Sequence, residues 1–151
     1  MRWLRLAADQ GDASALFNLG LMSEEGRGVP QDHAEAASWY RLAAEQGYPQ
    51  AQYNLGLLYA QGEGATQDNV SAHMWFNLAA ARFPASDTRN RDVAVRSRDV
   101  VAGKMTAEQI AEAQRRARRN RNSRLRRRAD HPSSCCCTTA RYRATDGSGT
   151  L

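Results

Sequence analysis

Trp39-Tyr40-Arg41-Leu42-Ala43-Ala44-Glu45-Gln46-Gly47, then Ala51-Gln52-Tyr53-Asn54-Leu55-Gly56-Leu57-Leu58-Tyr59 and Gly62-Glu63-Gly64, form a unit whose landmarks the chain repeats. Trp3, Trp39 and Trp75 lie 36 residues apart, as do Leu6, Leu42 and Leu78, and Ala7-Ala8, Ala43-Ala44 and Ala79-Ala80 keep the same phase. So do Ala15 and Ala51, Asn18-Leu19-Gly20-Leu21 and Asn54-Leu55-Gly56-Leu57, Gly26 and Gly62, Gly28 and Gly64, and Gln31-Asp32 and Gln67-Asp68. Gapless agreement at so many positions is an internal repeat, and a period of this length belongs to stacked helix-turn-helix units.

Each period divides into two helices. From about Ala13 to Glu25, Leu16, Leu19, Gly20 and Ser23 fall on one face at the i, i+3, i+4, i+7 spacing of a buried helix stripe. From about His33 to Gln46, Ala36, Trp39, Tyr40 and Ala43 do the same. Asp32 with Glu35 has the spacing of an N-cap followed by an acid at the third helical position. Gly26 and Gly47 sit just past the two helix ends, where a left-handed residue closes a helix. Gly20 and Gly56 lie inside helices, where glycine costs roughly 1 kcal/mol relative to alanine. Finding that cost at the same phase twice implies a close approach by the next helix, with Ala43-Ala44 expected to supply the small facing surface.

These residues resemble the Sel-one-like repeat family, a relative of the tetratricopeptide repeat, over about residues 1–119. Met74-Trp75-Phe76-Asn77-Leu78-Ala79-Ala80-Ala81, followed by Met105-Thr106-Ala107-Glu108-Gln109-Ile110-Ala111-Glu112-Ala113-Gln114, also resembles the closing segment of many bacterial members. The resemblance implies an all-α fold, an α/α superhelix (solenoid) of two to three 36-residue repeats with a C-terminal capping helix. It also implies a protein–protein interaction scaffold or adaptor.

The third phase departs from the pattern. Phe83 replaces a glycine, Asp92 replaces the Gly56 equivalent, and Arg98 and Val100 replace the turn glycines. Residues from about Asp87 to Ala102 therefore read as one longer, more polar helix that ends at Gly103. Thr106 with Gln109 forms a capping-box pattern that opens a last helix. The expected organisation is a repeat domain over 1–119, with repeats at about 12–47 and 48–83 and a degenerate cap at 84–119. A basic, then low-complexity and disordered tail follows over 120–151, which gives six or so helices ordered to about residue 120.

Charge is partitioned in the same way. Residues 1–114 carry ten Lys/Arg against fourteen Asp/Glu, a net of −4, and residues 115–151 carry eleven Arg against two acids, a net of +9. The chain's +5 is therefore a property of the tail alone. Hydrophobic residues at 42% and charged residues at 25% are those of a globular chain. No run of about 18 apolar residues encodes a membrane span. Met1-Arg2-Trp3-Leu4-Arg5 is not followed by the apolar stretch of a secretory leader, which favours a cytoplasmic protein, although the chain opens inside a repeat.

Catalytic and metal chemistry have no legible seat. His33, His73 and His131 do not recur in phase and lack a second ligand at metal spacing. Cys135-Cys136-Cys137, with His131 nearby, is a cluster in the tail without the separated pairs that a zinc tetrahedron takes. The Gly-x-Gly pairs follow helices, where capping explains them, and no phosphate-binding loop precedes one. Some cysteine-rich relatives are described as β-lactamase-like, but they carry paired cysteines in each repeat and this body has none. The reading is of a non-enzyme without cofactor or metal.

For binding, the groove of such a solenoid is lined by the first helix of each repeat. In phase, Phe17, Tyr53 and Arg89 share one position, Asn18, Asn54 and Asn90 a second, and Leu21, Leu57 and Val93 a third. In tetratricopeptide relatives asparagines in this region hold a peptide backbone or terminal carboxylate, which makes a protein or peptide the expected partner. The competing reading is that Phe17 and Tyr53 pack against neighbouring helices and the asparagines are structural. Arg115, Arg116, Arg118, Arg119 and Arg121, continued by Arg124 and Arg126-Arg127-Arg128, form a basic patch. At helical pitch it surrounds the axis, which suits a solvated helix or, as the alternative function, nonspecific nucleic-acid or anionic-membrane association. Apart from Tyr142, it lacks interleaved aromatics for base stacking.

Overall fold

The computed structural model describes residues 2–130. The cysteine cluster, His131 and Tyr142 lie outside the described residues. Seven helices follow one another with no strand among the described residues: α1 (Arg2–Asp9), α2 (Ala13–Glu25), α3 (His33–Glu45), α4 (Pro49–Gln61), α5 (Asn69–Arg82), α6 (Thr88–Ala102) and α7 (Ala107–Asp130). α7 thus continues past residue 119, where the end of the repeat domain was expected. The sequence explains this: between Gly103 and Pro132 there is no glycine or proline, and arginine and alanine are strong helix formers.

The helix ends follow the sequence signals. The Asp32 carboxylate accepts from the Ala34 and Glu35 N–H groups at 2.8 and 3.0 Å, and Asp68 accepts from Val70 N–H at 2.9 Å. Such caps are each worth about 1 kcal/mol. Gly26 and Gly62 close α2 and α4 at φ 69° and 75°, in the left-handed region that side chains with a Cβ disfavour. The turn is then tied back to the helix it leaves. Gln31 Nε2 donates to the Glu24 carbonyl at 2.9 Å, and Gln67 Nε2 donates to the Ala60 carbonyl at 3.0 Å. The Thr106–Gln109 box forms reciprocally, at 2.9 and 3.3 Å, and opens α7.

From α1 to α6 each helix packs on the next. The core takes Leu16, Leu19, Gly20 and Ser23 from α2 and Ala36, Tyr40 and Ala43 from α3, as the periodicity requires. Trp39 is only half-buried, at the edge of that stripe. The close approach at the mid-helix glycines has a different origin from the one expected. A Cβ on Gly20 would stand 2.5 Å from Cε1 of Tyr40, and one on Gly56 would stand 2.7 Å from Cε1 of Phe76. An aromatic ring of the second helix therefore lies on each glycine. Ala43 and Ala44 are fully buried elsewhere in the core.

The third phase breaks the pairing. α7 is the in-phase successor of α3 and α5, yet it lies against α5 rather than α6. Ala113 and Ala117 join Trp75 and Leu78 in one core cluster. The last helix therefore covers α5, and Val93 and Val100 on α6 stay exposed. With no ring arriving on α6, position 92 has no need of glycine, and Asp92 is exposed. Phe83, at the expected glycine position, is buried with Ala79, Ala80 and Ala94, and the chain leaves α5 extended at φ −56°, ψ 133°.

Candidate binding surface and basic helix

The in-phase positions of α2, α4 and α6 do not share one environment. Phe17 is half-buried, with its ring 5.6 Å from Tyr40 and 5.2 Å from Tyr48. The Tyr53 ring lies 5.5 Å from that of Phe76, tilted by 47°, and its hydroxyl lies 3.4 Å from Ser97 Oγ on α6. Both aromatics are half-buried against neighbouring rings, and Tyr53 reaches across to α6. Arg89 is exposed at the same phase.

The asparagines diverge too. Asn18 and Asn90 are exposed, but the Asn90 amide donates to the Asp87 carboxylate at 2.8 Å and helps to cap α6. Asn54 is half-buried near the Tyr40 hydroxyl, whose pKa its side chain lowers. Leu21 and Leu57 are half-buried against the core, and Val93 is 38% exposed.

Sequence reasoning placed Tyr40 only on a buried stripe. It proves to be the junction of three helices, because its hydroxyl also donates to Glu24 Oε2 at 2.5 Å. Burial first, and the Glu24 carboxylate second, push the phenol well above its ordinary range, so it stays protonated and acts as a donor. The pairing had one legible signal: Glu24 and Tyr40 become Ala60 and Phe76 one period on, an apolar pair in the same place.

The basic patch divides. Arg115 and Arg116 both hold Glu112, with Nε–Oε distances of 3.0 and 2.9 Å, and Arg116 also approaches Asp68 at 3.9 Å. The two arginines hold the Glu112 carboxyl below its ordinary range. Arg118, Arg119 and Arg121 make no ion pair among the described residues and face solvent. Their one unforeseen companion is Arg82 of α5, which shares a cleft with Arg121 and Arg124.

No group of three or more His, Cys, Asp or Glu side chains that could hold a metal ion occurs among the described residues. His73 is buried, with Nδ1 lacking a hydrogen-bond partner among those residues. Burial, reinforced by the Arg98 charge and opposed by Asp99, lowers its pKa, so it is a neutral core histidine. No described helix is long and apolar enough to cross a membrane.

Comparison with known proteins follows the same periodicity. The Sel1 repeat family matches residues 1–12, 13–48 and 49–82, more than half of the chain. The chain belongs to the Sel1 repeat family. The matched units end with α5, where the third phase departs from the pattern. The structure is similar to that of a protective antigen of uropathogenic Escherichia coli strains displaying an SLR fold, at 33% identity and a TM-score of 0.70 over 83% of this chain. A Sel1 repeat protein from Oxalobacter formigenes is similar at 32% identity and a TM-score of 0.54 over 77% of this chain. The chain spans only 27% of the antigen's length and 52% of the Oxalobacter protein's. No curated protein sequence matches the chain significantly. Sel1 repeat proteins are, in general, helical scaffolds for protein interaction.

Proposed function

We propose that the chain is an adaptor that binds a protein or peptide partner on the face shared by α2, α4 and α6. The observations that support this reading most are the contact of Phe17 on α2 with Tyr48, the residue that opens α4, and the contact of Tyr53 on α4 with Ser97 on α6. Along these first helices Asn18, Arg89, Asn90 and Val93 are exposed beside half-buried Leu21 and Leu57. A rigid surface with scattered polar groups and an apolar floor suits an extended peptide, because little has to be ordered on the receptor side when it binds. The half-buried aromatics act as the frame, and the exposed polar residues are the contact groups.

The experiment is selection of binders from a random peptide library on the full chain, followed by calorimetric titration of the enriched peptides. Asn18→Arg and Arg89→Glu place new bulk or charge on exposed positions of the face and should weaken binding about tenfold or more, the size of one lost charge-assisted hydrogen bond. Arg118→Gln with Arg119→Gln on α7 should leave it unchanged. The opposite pattern would move the binding surface to the basic helix and end the proposal.

A further inference from the structure

α7 is held to the body along one side. Ala113 and Ala117 are buried in the cluster with Trp75 and Leu78 of α5, and further along Arg124 donates to the Gln46 carbonyl at the end of α3. These contacts fix which side of the helix looks outward. Opposite Ala113 and Ala117 fall Arg115, Arg119, Asn122 and Arg126, at the i, i+4, i+7, i+11 spacing of one stripe, and all four are exposed. Arg118 borders the stripe and is exposed as well. Glu112 holds Arg115 and Arg116, but no acidic residue occurs between Glu112 and Asp130. Arg118, Arg119 and Arg126 make no ion pair among the described residues. Three uncompensated guanidiniums therefore share the outward side of the helix.

We propose that the outward side of α7 binds double-stranded nucleic acid through its phosphates, at a surface separate from the face of α2, α4 and α6. From Arg115 to Arg126 the stripe runs roughly 16 Å, a length over which a duplex presents on the order of ten phosphate charges. Guanidinium forks match phosphate oxygens bidentately. Residues 1–114 carry a net charge of −4, so the body repels a polyanion and directs it to α7. Because its inner side is packed on α5, the helix lies along the phosphate backbone rather than deep in a groove, and it reads no base edges. The stripe has no aromatic ring on which an unpaired base could stack, which favours a duplex over a single strand. A helix that lies in a membrane interface needs an apolar face. Between Arg115 and Arg127 the apolar residues are Ala117, buried against α5, and Leu125, exposed, so α7 has no such face to offer.

The test is fluorescence anisotropy of a labelled DNA duplex titrated with the full chain at several chloride concentrations. Affinity should fall with salt, with a log–log slope of about −3 or steeper, one phosphate for each of Arg118, Arg119 and Arg126. A duplex of unrelated sequence should bind equally. Arg119→Gln and Arg126→Gln should each flatten the slope by about 0.9. Both residues are exposed, so these variants should keep the helical spectrum and the melting temperature. Arg116→Gln removes the same charge from the same helix, but one already held by Glu112 and close to Asp68, and it should leave the slope unchanged. A single strand of the same length and phosphatidylserine vesicles serve as the competing ligands. Absence of salt-sensitive duplex binding overturns the proposal, and so does an Arg116→Gln effect equal to that of Arg119→Gln, which would leave only diffuse positive charge. Tighter binding to the single strand, or binding to the vesicles without binding to the duplex, overturns it as well.

Discussion

The ring of Tyr40 lies so close to Gly20 that a single added carbon would stand 2.5 Å from its Cε1, and Phe76 stands in the same relation to Gly56 at 2.7 Å. The repeat thus exchanges the helix propensity of two residues for ring-to-backbone packing. At Gly56, propensity alone predicts that alanine stabilises by roughly 1 kcal/mol. The ring reverses the sign. Gly56→Ala should lower the urea midpoint, and Gly56→Leu should cost a further 1–3 kcal/mol or so through overpacking. Phe76→Leu added to Gly56→Ala should recover part of the loss. A Gly56→Leu chain that melts at the wild-type temperature would show that the ring does not constrain this position.

Tyr40 differs from Phe76 in having polar work to do. Tyr40→Phe removes the donor to Glu24, and it should cost about 1–2 kcal/mol by chemical denaturation. Changing Glu24→Ala in the same chain re-creates the Ala60–Phe76 pairing of the next repeat. The double variant should therefore be more stable than the two single losses added together. Strict additivity would mean that the hydroxyl and the carboxylate do not interact.

Two of the three depressed pKa values, those of His73 and Asp68, give separate acid steps. His73 binds its proton more readily in the unfolded chain, whose ordinary value is 6.5, than in the fold, where burial and Arg98 disfavour the charge. Its contribution is therefore complete above about pH 6.5 and falls as pH drops below it. Asp68 is raised by burial but lowered more by its hydrogen bonds with Ser71 and Val70 and by Arg116, so its contribution holds above its ordinary 3.8 and is lost below it. Melting temperatures should decline in a first step from pH 7 to 5 and in a second below pH 4. His73→Leu should remove the first step and leave the second. Persistence of the first step in that variant would place it on another group.

Cutting the chain after Gln114 is not a neutral way to remove its positive charge. Ala117 is buried in the cluster that holds Trp75 and Leu78, so the cut opens the core against α5. The truncated chain should lose about 2 kcal/mol or more, the order of one large apolar side chain returned to water. Arg118→Gln with Arg119→Gln removes charge without that loss. Equal stability of the cut and full-length chains would mean that α7 does not cover α5.

The helices, their caps and the buried faces of α2 and α3 were legible because periodicity, aspartate caps and post-helical glycines are local signals that agree with one another. The partner of Gly20 was not, since nothing local says which residue of the next helix will cross it. Phase identity also did not guarantee a common environment. Asn18, Asn54 and Asn90 align perfectly, yet one faces solvent, one serves Tyr40 and one serves Asp87. The course of α7 across α5 was invisible for the same reason. It depends on Ala113 and Ala117 finding Trp75 and Leu78 rather than on any signal within α7. That course brings Arg82 to Arg121 across a long sequence separation.

Partners held by the face of α2, α4 and α6 would shield its backbone from solvent. Hydrogen–deuterium exchange of the full chain, with and without a saturating library-selected peptide, reads this out. Slowed exchange is expected in the segments around Phe17–Leu21, Tyr53–Leu57 and Arg89–Val93, with α7 unchanged. Protection confined to Arg115–Arg127, lost as salt is raised, would contradict it and assign binding to the basic helix.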